Sequence, residues 1–150
     1  MKFILTRELG RLAKWLRILG YDSRFYRQDN QSRLIIEALR ENRIILTRNS
    51  RISRFPGPPL VLIKDDLLQQ QLKQLFGELR LRPEAKQMFT RCTICNSELE
   101  AVAKSKIRAR VPEYVYQSQE AFMRCLQCNR IYWQGTHWGN VKKYLMAANV

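Results

Sequence analysis

The sequence predicts an α/β fold: a mostly parallel sheet covered by helices on both faces, followed by a small module stapled at four cysteines. Three observations lead there. Short apolar, strand-like runs alternate with amphipathic helical stretches over residues 1–80. Two Cys-x-x-Cys pairs lie in the second half. A hydrophobic content of 45% over 150 residues is ordinary for a globular chain. No apolar run approaches the roughly 18–20 residues needed to cross a bilayer.

The first strand is the run Phe3-Ile-Leu5. Leu9, Leu12, Ala13, Leu16 and Leu19 then recur at helical spacing, and Gly20 stops the helix. Its opposite face carries Arg7, Arg11 and Lys14, a basic stripe interrupted by Ile18. Arg24–Tyr26 reads as a second strand. Asp29 or Ser32 can cap a second helix, which turns Leu34, Ile35, Ala38 and Leu39 inward. Arg43–Leu46 is a third strand, Phe55–Pro59 a loop, and Leu60–Ile63 a fourth strand. A helix bearing Leu67, Leu68, Leu72, Leu75, Phe76 and Leu79 closes the unit. The expected division is a domain over residues 1–80, a linker over 81–90 and a smaller module over 91–150.

Cys92-Thr-Ile-Cys95 and Cys125-Leu-Gln-Cys128 dominate that module. Two residues between thiolates let one tight turn present both sulfurs to a single ion, and two such turns complete a tetrahedron. Asn96 and Asn129 follow the second cysteine of each pair, where a residue tolerant of positive φ suits the turn. The expectation is one structural Zn²⁺ per chain, with an iron–sulfur cluster as the alternative occupant. Between the pairs, Leu99–Ala103, Ile107–Val111 and Tyr114–Tyr116 read as strands, and Arg130–Trp133 follows as another. This is the pattern of a zinc ribbon, whose hairpins are too small to hold a core without metal. Thr136 then caps a last helix with Val141, Tyr144, Leu145 and Ala148 on one face. The lone histidine, His137, reads better as a packed or stacking residue than as a ligand, because four thiolates already satisfy the ion.

Charge narrows the partners. Lys and Arg total 27 against 13 acids, a net +14. Such an excess favours a polyanion, since each phosphate neutralised releases a counterion. A membrane surface would call for a basic helix with a free apolar face, so nucleic acid, and RNA in particular, is the expected partner. The first residues lack the long apolar core of a signal peptide, and the expected location is cytoplasmic. With one histidine and every cysteine assigned to metal, acyl transfer is excluded as the chemistry.

Function in parallel sheets gathers beyond the carboxyl ends of the strands. The segments there are Thr6-Arg7-Glu8, Arg27-Gln28-Asp29, Thr47-Arg48-Asn49 and Lys64-Asp65-Asp66. They mix acids, arginines, hydroxyls and an amide.

The run LGRLAKWLRILGYD at residues 9–22 and RIILTRN at 43–49 resemble the Mut-seven C-terminal RNase domain family. FTRCTICN at 89–96, the pair Val111-Pro112, and CLQCNRIYWQGTHW at 125–138 agree with it. The resemblance covers nearly the whole chain. It implies a PIN-like three-layer nuclease fold followed by a zinc ribbon, and action on RNA. It also implies an aspartate at the end of the first strand, where this chain has Thr6, and another after the Thr-Arg pair, where it has Asn49. Such acids hold Mg²⁺ or Mn²⁺ in PIN-like nucleases. Asp22 and Asp29 are the remaining catalytic candidates, with Glu8 or Asp65 in reserve. The dull alternatives are a turn for Asp22, a helix cap for Asp29, and dipole partners of a helix for Asp65 and Asp66.

Two readings stand side by side. One is an RNA-binding protein on a nuclease scaffold with weakened or lost cleavage, acting on RNA or a ribonucleoprotein. The other is a metal-dependent ribonuclease using the remaining acids. A protein-interaction scaffold is a third class. Phosphate contacts are expected from Arg7, Arg11, Lys14, Arg48, Arg51, Lys142 and Lys143. Tyr132, Trp133 and Trp138 are candidates to stack on unpaired bases, or else to pack the ribbon against the last helix.

Overall fold

The computed structural model describes residues 1–52, 56–135 and 137–147, the side chains of His137, Trp138 and Ala147 excepted. The expected cap Thr136, the end residue Ala148, Phe55 of the loop and the side chains of His137 and Trp138 lie outside that description.

Four strands, β1 (Lys2–Leu5), β2 (Asp22–Phe25), β3 (Ile44–Thr47) and β4 (Leu60–Leu62), form one parallel sheet in the order β2-β1-β3-β4. Side chains alternate across its two faces. Phe3, Leu5 and Leu46 point into a core shared with helices α1 (Gly10–Ile18) and α3 (Leu68–Glu78). Ile4 and Ile45 point the other way, against Leu34 and Ala38 of α2 (Gln31–Glu41). Burial on both faces is what a parallel sheet requires.

Strand boundaries shift by one or two residues from the sequence expectation, and the second and third strands show why. The second strand begins at Asp22 because Ser23, though polar, is fully buried with its hydroxyl donating to the Ala13 carbonyl at 3.0 Å. The third begins at Ile44, because the N–H of Arg43 closes α2 on the Ala38 carbonyl at 2.8 Å. That closure follows Asn42, which takes φ 52° and ends the helix in the left-handed region. The α2 cap is Asn30, which accepts from the Arg33 N–H at 2.9 Å, rather than Asp29 or Ser32.

Gly20 stops α1 as expected, and the structure adds a reason. Its φ is +88°, and the N–H groups of Gly20 and Tyr21 close the last turn on Arg17 and Leu16. A Cβ there would lie 2.1 Å from the Gln87 carbonyl oxygen. Residues 81–90 therefore run close against the end of α1, where the Phe89 N–H donates to the Ile18 carbonyl at 2.8 Å.

The second sheet is antiparallel, β5 (Leu99–Val102), β6 (Phe122–Cys125) and β7 (Ile131–Trp133), in that order. The segments 107–111 and 114–116 are not strands. Arg108–Arg110 is a 3-10 turn and α4 spans Glu113–Ser118. Ile107, Val111 and Val115 recur every four residues and pack on Phe122, which is a helical rather than an alternating period. Helix α5 (His137–Ala147) returns to the first core: Val141 and Leu145 are buried with the residues of α1 and α3. Tyr144 lies on Trp15 with ring centroids 4.4 Å apart. Among the described residues no helix is long and apolar enough to cross a membrane.

Candidate functional site

The order β2-β1-β3-β4 places a topological switch between β1 and β3, because chain from β1 leaves toward β2 and later returns on the other side. Open parallel sheets bind ligands in the crevice beyond such a point. A pocket of about 290 Å³ opens there, lined by residues that follow β1, β2 and β3. Thr6 lines it, and the fully buried Thr47 lies behind, their hydroxyl oxygens 3.0 Å apart.

Glu8 is the central carboxylate. Its Oε1 accepts from the Thr6 hydroxyl at 2.5 Å, the Thr47 hydroxyl at 3.2 Å and the Arg48 N–H at 3.0 Å. Partial burial pushes its carboxyl up, but the Thr6 hydroxyl and the Arg48 N–H outweigh that and hold it below the ordinary value. Glu8 is therefore ionised at neutral pH. Asp29 also lines the pocket, facing Arg7 at 3.9 Å with both side chains largely exposed. Arg48 lines the opposite side and pairs with Asp66. Two cations, Arg7 and Arg48, thus balance two anions, Glu8 and Asp29, around the opening.

The oxygens of Thr6 and Asn49, where the family resemblance implies acids, do not fit a carboxylate-built site for Mg²⁺ or Mn²⁺. The Thr6 hydroxyl donates its proton to Glu8, and the Asn49 amide oxygen accepts the Arg51 N–H at 3.0 Å. Among the described residues, no three acidic side chains come together to hold an ion. Such a cation usually needs one or two carboxylates with free oxygens.

Asp22 and Asp29 are not brought together. Asp22 opens β2, whereas the pocket lies past its end, about 10 Å further along at roughly 3.3 Å per residue. There its carboxylate accepts from Arg43 at 2.6 and 3.3 Å and from the Asn96 amide at 2.8 Å. Burial pushes the Asp22 carboxyl up, while the Arg43 and Asn96 hydrogen bonds bring it below the ordinary carboxylate value. The position is a joint between the sheet and the first cysteine pair. Asp65 accepts the Leu67 N–H at 2.8 Å just before α3.

The second site is the cysteine cluster. All four sulfurs lie within 4.8 Å of one another. Cys92 and Cys128 are 3.4 Å apart, Cys95 and Cys125 3.4 Å, and Cys95 and Cys128 3.9 Å. A tetrahedral ion with metal–sulfur bonds of about 2.3 Å has sulfur–sulfur edges of about 3.8 Å. The cluster therefore fits one metal ion. Asn96 and Asn129 take φ 73° and 57°, as the turns demand. Local spacing carries no sign of what surrounds the first turn. The Tyr132 hydroxyl sits 3.0 Å from the Cys92 sulfur. Burial pushes the Cys92 thiol up, but the Cys95 N–H and the Tyr132 hydroxyl outweigh it and bring the thiol down to about 6. Burial pushes Cys128 up, to about 12. Buried Arg17 reaches from α1 to the Thr93 and Ile94 carbonyls at 3.1 and 2.7 Å, and to the Ser23 carbonyl at 2.9 Å.

The expected phosphate-contacting residues divide. Arg7 and Arg48 line the switch-point pocket, and Arg51 is exposed beside it. Arg11 and Lys14 instead border a second groove, together with Tyr132 and Trp133. Lys142 and Lys143 are exposed on α5. Thr47, placed by the sequence just past the third strand but given no role there, ends the strand and completes the Glu8 cradle with its hydroxyl.

No curated protein and no solved structure matches the chain. The family model for the Mut7-C RNAse domain matches residues 1–145, a span that holds the sheet, the cysteine cluster and all but the last two residues of the helix that returns to the first core. The chain belongs to the Mut7-C RNAse domain family.

Proposed function

We propose that this protein binds RNA on a PIN-like ribonuclease scaffold and has weakened or lost cleavage. One observation carries the proposal. The two strand ends that would hold metal-binding acids are Thr6 and Asn49, and the Thr6 hydroxyl donates to the remaining acid, Glu8. Three donors occupy one oxygen of that acid, so it brings less free charge to a cation than the lost acids would, and the neutral rim no longer repels phosphate. The Arg7–Asp29 pair is long and exposed, so it contributes little, and an RNA phosphate can take the place of Asp29. The chain's charge of +14 supports the same partner, RNA or a ribonucleoprotein.

In this reading residues 1–80 carry the pocket and 91–150 form a zinc-stapled module, joined by 81–90. Zinc is the metal the tetrathiolate set suits best, and with all four positions filled by protein its role is structural. The thiols stay reduced in a cytoplasmic setting.

A second reading is favoured by one observation: Glu8 is ionised and lines the pocket. A metal-dependent ribonuclease would recruit it together with Asp29. The experiment is cleavage of end-labelled RNA by the zinc-loaded protein, with and without Mn²⁺, beside the Thr6→Asp, Asn49→Asp variant. Intact but bound RNA, with cutting only in the variant, is the expected result. Mn²⁺-dependent cutting by the natural sequence overturns the proposal in favour of the ribonuclease.

A further inference from the structure

We infer that the groove between α1, β7 and α5 is a second RNA subsite, one that takes an unpaired nucleobase of a single strand. The inference rests on the RNA-binding reading above and deepens it.

The groove measures about 660 Å³, within the range of about 300–1,000 Å³ that encloses ligands of small-molecule size. One wall carries Trp15 against Tyr144, with ring planes inclined by 30°. The other carries Tyr132 and Trp133 of β7. Ile18 and Val141 add apolar surface, so a flat aromatic solute meets rings from both halves of the chain.

The rim decides which solute. Arg11 and Lys14 are exposed, lie on neighbouring turns of α1, and make no ion pair among the described residues. No acidic residue lines the groove. A cationic or neutral ligand would leave these two charges unused, whereas a nucleotide offers a ring for the walls and a phosphate for the rim. Asn140 and Thr93 also line the groove and bring an amide and a hydroxyl able to hydrogen-bond the polar edge of a base. A duplex keeps its bases stacked and paired, so only an unpaired strand can fill the space. The stripe continues to Arg7 at the switch-point pocket, which leads the phosphates of one strand along α1 from one site to the other.

Both halves of the chain build this groove, which gives the metal module a role in binding as well as in folding. The test uses the full, zinc-loaded chain without added Mn²⁺ and a labelled single-stranded RNA carrying 4-thiouridine. Ultraviolet crosslinks should map to residues 131–133 or 140–144. Trp133→Leu keeps apolar packing on Phe122 and removes the large ring. It should weaken single-strand binding about 5- to 150-fold, as loss of one stacked base does, and leave duplex binding unchanged. Arg11→Gln with Lys14→Gln, both exposed, should lower the slope of log affinity against log salt by about 1.4 for two phosphates. If the natural protein binds single strands while crosslinks map elsewhere and both variants bind normally, the subsite is wrong and the RNA reading stands. If the natural protein binds neither single strands nor duplex, both fall.

Discussion

Replacing Thr6 and Asn49 by aspartate tests the electrostatics of the pocket independently of any cleavage. The Thr6 hydroxyl lies 2.5 Å from Glu8 Oε1 in a residue that is 8% exposed. A carboxylate in its place removes a charge-assisted hydrogen bond, a loss of about 1.5–3 kcal/mol. It also sets two anions about 4 Å apart, a repulsion of about 4 kcal/mol at an effective dielectric of about 20. Glu8 is near the surface and can swing outward, so solvent screening reduces the sum to about 3 kcal/mol at pH 7. For a chain of this size that lowers Tm by about 6–12 °C. Mn²⁺ at about 100 times its Kd should return about 2.7 kcal/mol.

The pH dependence has opposite signs in the two proteins. In the natural chain Glu8 is held below its unfolded value of about 4.3, so its stabilisation is present above that pH and is lost as pH falls through the folded value. In the variant the paired carboxylates bind a proton more readily when folded than unfolded. Its deficit is largest at neutral pH and shrinks on acidification. Thermal unfolding followed by circular dichroism between pH 4 and 8, with and without Mn²⁺, reads all of this. A variant as stable as the natural protein at pH 7 without metal, and no more responsive to Mn²⁺, would refute the reasoning.

Three further outcomes follow from the packing. Gly20→Ala combines positive-φ strain with a Cβ placed 2.1 Å from the Gln87 carbonyl, and should cost about 2–5 kcal/mol in urea unfolding. Cys125→Ser opens the tetrathiolate set, so metal analysis should fall from one ion per chain toward none. The near-ultraviolet signal of Tyr132 and Trp133 should fade with it. Asp22→Asn weakens the bidentate contact with Arg43 but leaves that guanidinium its Glu41 partner, at a cost of about 1–3 kcal/mol by thermal unfolding. Because the Asp22 carboxyl is depressed, the natural chain should lose this stabilisation as pH falls below about 4, and Asp22→Asn should show a flatter acid limb.

Much of this protein is legible in local sequence. The two cysteine pairs with Asn96 and Asn129 carry their own turn chemistry, so the metal cluster needed no knowledge of the rest of the chain. Leu9, Leu12, Ala13, Leu16 and Leu19 followed by Gly20 encode both the buried face of α1 and its end. Strand propensity misread residues 107–116, where β-favouring side chains spaced every four residues form turns and a helix against Phe122. Strand propensity is a weak local preference that packing overrides.

What sequence could not supply is which segments share an end of the sheet. Asp22 and Asp29 are seven positions apart along the chain, yet β2 carries one to a joint with Asn96 and the other to the pocket rim. Glu8, Thr6 and Thr47 meet only because β1 and β3 are neighbours in the sheet. The return of α5 to the first core, which brings Tyr144 onto Trp15 and creates the aromatic groove, likewise follows from long-range burial of Val141 and Leu145. Local spacing determined the elements and the metal ligands of this chain; the strand order and the burial of distant apolar faces decided which of its charges act together.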